Sequence, residues 1–254
     1  MSRVLYTSWF STFARKVALG LELKGLAYEA VDALRRDFRP ELERLNPRRE
    51  VPVLCEDDLV IVNSSDILQY LEWRYPQPAL YPQAIEDRVA ARALERLADQ
   101  RLDPIIVACS FWHWAERSDQ PPEGLLAAGQ QDLEITLARL DAELQQRPRP
   151  WPFGAPGIVE CAWFPNLIAA RPLGFEIDAA RFTPVLEWLE AMRTHPVFMA
   201  DRKRTAAFLK TFNNAEHERQ RLFWSGERLE WVLARGFHDW LISEIRAERV
   251  AFPD

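Results

Sequence analysis

Between residues 5 and 29 the chain reads LYTSWFSTFARKVALGLELKGLAYE, a strand-like run that turns helical just after a group of hydroxyl side chains. A serine at such a junction has two possible uses. Its oxygen can cap the new helix by accepting a hydrogen bond from a backbone N–H within the first turn. Alternatively its hydroxyl can donate to an anion held at the helix start, where unpaired N–H groups and the macrodipole favour negative charge. Ser11 and Thr12 are both placed to cap, Ser8 lies at the strand end, and Tyr6 reads as a strand side chain. Further along, Pro52 follows Val51 at the start of a strand, a common place for an edge-strand proline. Asn63, Ser64, Ser65 and Asp66 then open a helix, with Asn63 as N-cap and Asp66 at N3. A hydroxyl beside helix N–H groups is also what a bound carboxylate requires.

The elements that must carry these residues follow from periodicity and turn chemistry. RVLYTS is a strand, and FARKVALGLELKG is a helix closed by Gly25 at C′. YEAVDA alternates as a strand does, and RPELERLN is a short helix halted before Pro47. VPVLCEDDLVIVNS reads as a hairpin around two aspartates, and SDILQYLEWRY as an amphipathic helix. The order β-α-β-α-β-β-α over residues 1–75 describes a small mixed sheet covered by helices. The proline-rich PQPALYPQ reads as a linker, and residues 83–254 read as an all-helical domain. Within it the spacing predicts a long helix over 83–117 kinked at Pro104, and a second from PPEGLL to QQR. A buried apolar helix over IVECAWFPNLIAARPLG and a helix over TPVLEWLEAMRTHP with Pro184 at N1 come next. From about residue 214, Leu229, Val232, Leu233, Phe237, Trp240, Leu241 and Ile245 predict one more amphipathic helix.

Composition narrows the function classes. With 254 residues, 48 % hydrophobic and 28 % charged, the chain has the make-up of an ordinary globular protein. A net charge of −6 gives no reason to expect nucleic acid or an anionic membrane as partner. The basic clusters RPRP (147–150) and DRKR (201–204) read as solvated surface. No apolar run approaches the roughly 18 residues of a membrane span, and MSRVLY lacks a signal-peptide pattern, so a cytoplasmic location is expected. Cys55, Cys109 and Cys161 are far apart and form no CxxC pair, and the four histidines are scattered, so neither disulfides nor a metal site is expected.

Three stretches, in order and at matching spacing, resemble the glutathione S-transferase superfamily. SWFSTFARKVALGLELKGLAYE is similar to that family's S-P-F-x-x-x-V … L-x-x-K-G-x-x-Y-E opening. NPRREVPVL is similar to N-P-x-x-x-V-P-x-L, and VNSSDILQYLEWRYP to E-S-x-x-I-x-x-Y-L-x-x-x-(F/Y)-P. In the helical part GAPGIVECAWFP is similar to the family's S/T-x-x-D capping box, with Gly157 and Glu160 in its place. The resemblance implies an α/β thioredoxin-like N-terminal domain, an all-α C-terminal domain, a homodimer, and glutathione as co-substrate in a detoxifying reaction without a metal.

It also implies site roles. Ser11 falls on the active-site position of serine-type members and would donate to the glutathione thiolate. Lowering a thiol pKa of about 8.5 by two units needs about 2.7 kcal/mol. A hydroxyl bond to a charged acceptor gives roughly 1.5–3 kcal/mol, and a helix start about 0.3–1 more. Serine cannot form the mixed disulfide of thiol exchange, which favours addition to an electrophile over thiol transfer. Pro52 falls on the family's cis-proline, turning the Val51 backbone toward the cysteinyl unit. Ser64, with Asn63 and Ser65, falls on the segment that holds the γ-glutamyl carboxylate. Glu50 departs from the family, where many members place a basic residue near the glycine carboxylate; Arg48, Arg49, Arg36 or Arg39 are candidates to offset it. Trp9, Phe10, Arg101, Ile105 and Trp112 are candidates for a second-substrate pocket between the domains. The tail beyond about residue 210 exceeds the usual family ending. Glu50 and that tail favour a non-catalytic interaction protein on the same fold, whereas Ser11, Pro52 and Ser64 favour the enzyme. A glutathione-dependent isomerase or ether-cleaving enzyme is a further alternative.

Overall fold

The computed structural model describes residues 2–114, 117–212, 216, 221–222 and 226–251. Strands β1 (Arg3–Thr7), β2 (Glu29–Asp32), β3 (Val53–Glu56) and β4 (Leu59–Val62) form one sheet in the order β2-β1-β3-β4. β2 runs parallel to β1, while β3 and β4 are antiparallel neighbours. The parallel pair requires a crossover, and α1 (Thr12–Leu23) provides it. α2 (Arg39–Leu45) and α3 (Ser64–Arg74) complete the expected β-α-β-α-β-β-α order, the thioredoxin-like arrangement. Gly25 ends α1 as expected. At φ +65° it lets its own N–H reach Glu22 O and the Leu26 N–H reach Leu21 O, a Schellman closure.

The remaining elements are helical: α4 (Ile85–Leu97), α5 (Asp103–Trp114), α6 (Leu125–Leu144), α7 (Ile158–Ala170), α8 (Thr183–Thr194) and α9 (Pro196–Thr211). The tail adds α10 (Gly226–Ala234), α11 (His238–Arg246) and a two-residue pairing of β5 (Arg221–Leu222) with β6 (Val250–Ala251). α7 lies at the centre, nearly every residue buried, against α1 on one side and α4 on the other. Its start explains the departure from the usual capping box. A Cβ on Gly157 would sit 2.3 Å from the Leu80 carbonyl oxygen, so no side chain fits there. Glu160 reaches back to accept from the Gly157 N–H at 2.8 Å and from Trp188 Nε1 at 2.9 Å.

Four expectations are corrected. The helix over 83–117 is interrupted by a π-helical turn, Ala98–Leu102, in which the Asp103 N–H bonds to Ala98 O; residues 115–116 lie outside the described ones. Pro104 is the reason: it has no N–H and its ring crowds the carbonyl four residues back, so the ladder widens just before it. The segment read as a linker is bolted down: Lys24 Nζ donates to Glu72, Tyr75 O and Pro78 O, and Glu72 accepts from the Leu80 N–H. DRKR is not surface throughout. It lies inside α9, where Asp201 is fully buried and accepts from Arg15 Nε at 3.1 Å and Nη2 at 2.5 Å. A buried charge needs such a partner, and this one ties α9 to α1. The tail, finally, is two helices where one was expected. Gly236 at φ +82° closes α10 with bonds from Gly236 N to Leu233 O and from Phe237 N to Val232 O.

Candidate active site

The sheet register brings the three motif segments to one end. Tyr6 pairs with Val53, and Val53 with Val62. The chain leaving β1 toward Ser11, the Val51–Pro52 step entering β3, and the Asn63–Ser64 step leaving β4 therefore emerge side by side.

Ser11 is the N-cap of α1, at φ −76° and ψ 118°, and half-buried. Its Oγ accepts from the Ala14 N–H at 3.2 Å, and its carbonyl accepts from the Arg15 N–H at 3.0 Å. Because the oxygen is used as an acceptor within the helix, the hydroxyl proton is left to donate outward. The first turn contains no acidic residue to cancel the positive helix end. The two readings of Ser11 are therefore compatible in one geometry. Ser8 and Thr7 are fully buried, and their hydroxyl oxygens have no hydrogen-bond partner among the described residues. Tyr6 faces the other way: its Oη donates to Glu41 of α2 at 2.7 Å, and burial, followed by that bond, raises its pKa to about 12.

The Val51–Pro52 bond is cis, with Pro52 buried and Val51 half-buried. Upstream, Glu50 is held by Arg48 through two hydrogen bonds, 3.2 Å and 3.1 Å. That pairing offsets its charge on the spot. Burial, then the neighbouring Arg49, push the Arg39 guanidinium below its usual value; Glu43 opposes this and Arg36 adds to it, so several arginines and one glutamate lie near Arg39.

At the start of α3, Ser64 is buried and Asn63 exposed. The expected capping pair forms differently. Asn63 adopts φ +67°, its side chain makes no cap to the helix, and its Nδ2 donates instead to Asp66 Oδ2 at 3.1 Å. Ser65 turns inward. Its Oγ donates to Glu95 at 2.8 Å and accepts from Lys16 Nζ at 3.2 Å, while Lys16 also pairs with Glu95 and Asp99, both at 2.7 Å. Burial opposes the Lys16 charge, yet the two carboxylates outweigh it and raise its pKa; burial raises that of Asp99. A cleft of ≈ 300 Å³ opens above this cluster, bounded by Phe13, Arg96, Gln100 and Glu227 among others.

The five candidates for a second-substrate pocket are dispersed. Trp9 lies beneath the Arg204 guanidinium at 4.1 Å, and Phe10 packs edge-on against Phe208 and Phe212, all from the α9 side. Ile105 is in the core beside Gly129 of α6, Arg101 is exposed, and Trp112 packs against Trp240 of α11. What sequence reasoning missed is Arg228 within the tail. Arg228 of α10 donates to Asp103 Oδ2 at 2.9 Å, and Asp103 Oδ1 accepts from Thr12 Oγ1 at 2.7 Å. Glu216 meets the loop after β2, accepting from the Arg36 N–H and from Arg35 Nη1. Among the described residues no group of three or more metal-ligating side chains occurs, and no helix is long and apolar enough to cross a membrane.

Comparison with known proteins agrees with this architecture. The profile of the glutathione S-transferase N-terminal domain matches residues 5–79. Glutathione S-transferase Z1 of Arabidopsis thaliana is 40 % identical over 87 residues, 33 % of this chain and 39 % of that protein. The chain thus spans less than half the length of the first curated relatives it matches. Glutathione S-transferase 1 of Dianthus caryophyllus matches more widely, 36 % identical over 191 residues, 73 % of this chain and 84 % of that protein. Among solved structures, maleylacetoacetate isomerase of Anaeromyxobacter dehalogenans 2CP-1, with glutathione in its active site, superposes with a TM-score of 0.63 at 32 % identity, covering 79 % of this chain and 94 % of that one. With its fold, its three ordered motifs and these alignments taken together, the chain belongs to the glutathione S-transferase family.

Proposed function

We propose that the chain is a glutathione-dependent enzyme in which Ser11 holds the glutathione thiolate for addition to a small hydrophobic electrophile. One observation carries this reading: the Ser11 Oγ is engaged as an acceptor by Ala14, at the same sheet end as the cis Val51–Pro52 step and the start of α3. A hydroxyl so held has its proton directed to an outside acceptor, and the helix start adds to the attraction for a sulfur anion. Val51 offers main-chain pairing to the cysteinyl unit. Ser64 with the first N–H groups of α3, flanked by Asn63, is assigned the γ-glutamyl carboxylate. Arg39, with Arg36 and Arg49 around it, is the candidate for the glycine carboxylate, since Glu50 is already neutralised by Arg48. Ser65 anchors α3 to α1 and α4 and has a supporting part.

The partner is a second copy of the chain, met through α3 and α4, where Trp73, Ile85 and Val89 are largely exposed. The division into residues 1–75 and 83–254 is retained as the functional one, glutathione lying on the first part. A cytoplasmic, detoxifying role fits this chemistry.

A second reading has its own support, the 32 % identity to an isomerase that binds glutathione. There the same thiolate would add to a conjugated cis double bond, allow rotation, and leave again with its electron pair. Calorimetric titration with glutathione, on wild type and Ser11→Ala, is the first test. Micromolar-to-millimolar binding and an ultraviolet thiolate band lost in the variant are expected. No binding at several millimolar would reject both readings in favour of a non-catalytic protein on this fold. Turnover that consumes glutathione indicates conjugation; turnover that leaves it unchanged indicates isomerisation.

A further inference from the structure

The tail reaches the turn that carries Ser11, and the contact is built from buried polar groups. Asp103, 1 % exposed, divides its carboxylate between two elements distant in sequence. Oδ1 accepts from Thr12, the first residue of α1, and Oδ2 accepts from Arg228 of α10. The Arg228 guanidinium also lies 5.9 Å from the Phe13 ring centroid. α10 is fixed from a second side, since Asp132 of α6 accepts from Trp231 Nε1 at 2.7 Å and from Arg235 Nε at 2.6 Å.

A buried carboxylate left without a cation would draw its remaining donor out of place or take up a proton. Thr12 is that donor, and it adjoins Ser11, whose direction depends on the one-turn bond from Ala14. We propose that Arg228 and Asp103 are positioning residues for Ser11, the tail arginine holding the Asp103 carboxylate against Thr12 so that the first turn of α1 keeps the serine hydroxyl aimed outward. This rests on the assignment of Ser11 to a bound thiolate. It gives the extension beyond the usual family length a task in the site without contact to the substrate.

The test has two readouts. Backbone hydrogen exchange of the Ala14 amide, in ligand-free protein, reports whether Ser11 Oγ is still in place and needs no glutathione. Arg228→Gln is expected to speed it about tenfold while amides in the middle of α1 stay unchanged. Thr12→Val, which keeps the ion pair and removes only the hydroxyl, is expected to do the same, and Arg228→Lys to remain closer to wild type. An unchanged Ala14 rate in folded Arg228→Gln and Thr12→Val overturns the proposal, whether or not glutathione binds. In the glutathione complex the bound thiol is expected to titrate about one pH unit higher in Arg228→Gln. Affinity for S-methylglutathione, which has no thiol proton, should stay as in wild type. A faster Ala14 amide with an unmoved thiol titration likewise overturns it. Failure of wild type to bind glutathione rejects the proposed function separately.

Discussion

The first turns of α1 and α3 start at the same end of one sheet and are built in opposite ways. α1 is closed by its own N-cap: Ser11 lies in the extended region and takes the Ala14 N–H on its side chain. α3 is left open. Asn63 sits at φ +67°, spends its side chain on Asp66, and the Ser64, Ser65 and Asp66 N–H groups precede the first helical bond, from Ile67 N to Asn63 O. A closed turn is stiff and presents a single hydroxyl proton, which suits a charge that grows on one atom. An open turn presents several backbone donors together, which suits the permanent charge of a carboxylate. Under the proposed function this difference separates two tasks, activating a ligand and retaining it, one for each helix start.

Substitutions can break that separation or sharpen it. The largest effect is expected from Ser11→Ala: kcat/KM falls about 30- to 100-fold, matching roughly 2–3 kcal/mol for a hydrogen bond to a charged group. The bound thiolate band should be lost while glutathione still binds; a variant that loses binding and keeps the thiolate would reverse the assignment. Ser64→Ala comes next, with glutathione affinity reduced about tenfold by calorimetry and the thiol titration of the remaining complex unmoved. If both variants shift the same quantity, the two helix starts share one task and the comparison fails.

Asn63→Gly should act on the open turn alone. Removing the side chain from a left-handed position relieves about 1–3 kcal/mol of backbone strain, offset by roughly 0.5–1 kcal/mol of added chain freedom. A thermal melt a few degrees above wild type is expected, with Ser11-dependent chemistry unaltered. Tyr6→Phe is the smallest. Tyr6, raised to about 12, stays neutral in the working range, so its loss should leave the thiol titration unmoved. The folded value lies above the unfolded one, so the bond to Glu41 stabilises fully below pH about 10 and is lost as pH rises toward 12. Denaturant melts should show Tyr6→Phe less stable by about 1 kcal/mol at pH 7, with the gap closing above pH 10.

Much of the sheet region is legible in the sequence because its signals are local. Gly25 after an apolar helix, Pro47 after a short one, and alternation in YEAVDA each act within a few residues, and the strands and helices fall where these place them. The helical part is less legible where a partner decides the outcome. Asp201 looks like one more surface charge until Arg15, 186 positions earlier, arrives beside it. Apolar spacing ran through Gly236 without a break, although that glycine was the available signal for dividing the tail. For the proposed site, Ser11 could be singled out only through the three ordered motifs, because a hydroxyl at a strand-to-helix junction reads equally well as a helix cap. The aromatic residues could not be sorted, because Trp9 under Arg204 and Trp112 beside Trp240 carry the same spacing as any core residue. Arg228 gave no local sign at all; only the return of the chain makes it a neighbour of Thr12 and Asp103.

The π-helical turn at Ala98–Leu102 has a consequence for how this chain tolerates changes of length. A widened turn takes up one residue more than an α-helical path needs, so a single deletion there could be absorbed by restoring ordinary geometry. A residue removed from the regular turns of α4 instead finds no such slack and turns everything beyond it by about 100°. Asp103 would swing away from Thr12 and Ile105 from Gly129, with every side chain still the right kind. The place of a one-residue gap, inside the widened turn or in the regular helix before it, therefore decides between an unchanged site and a differently wired one.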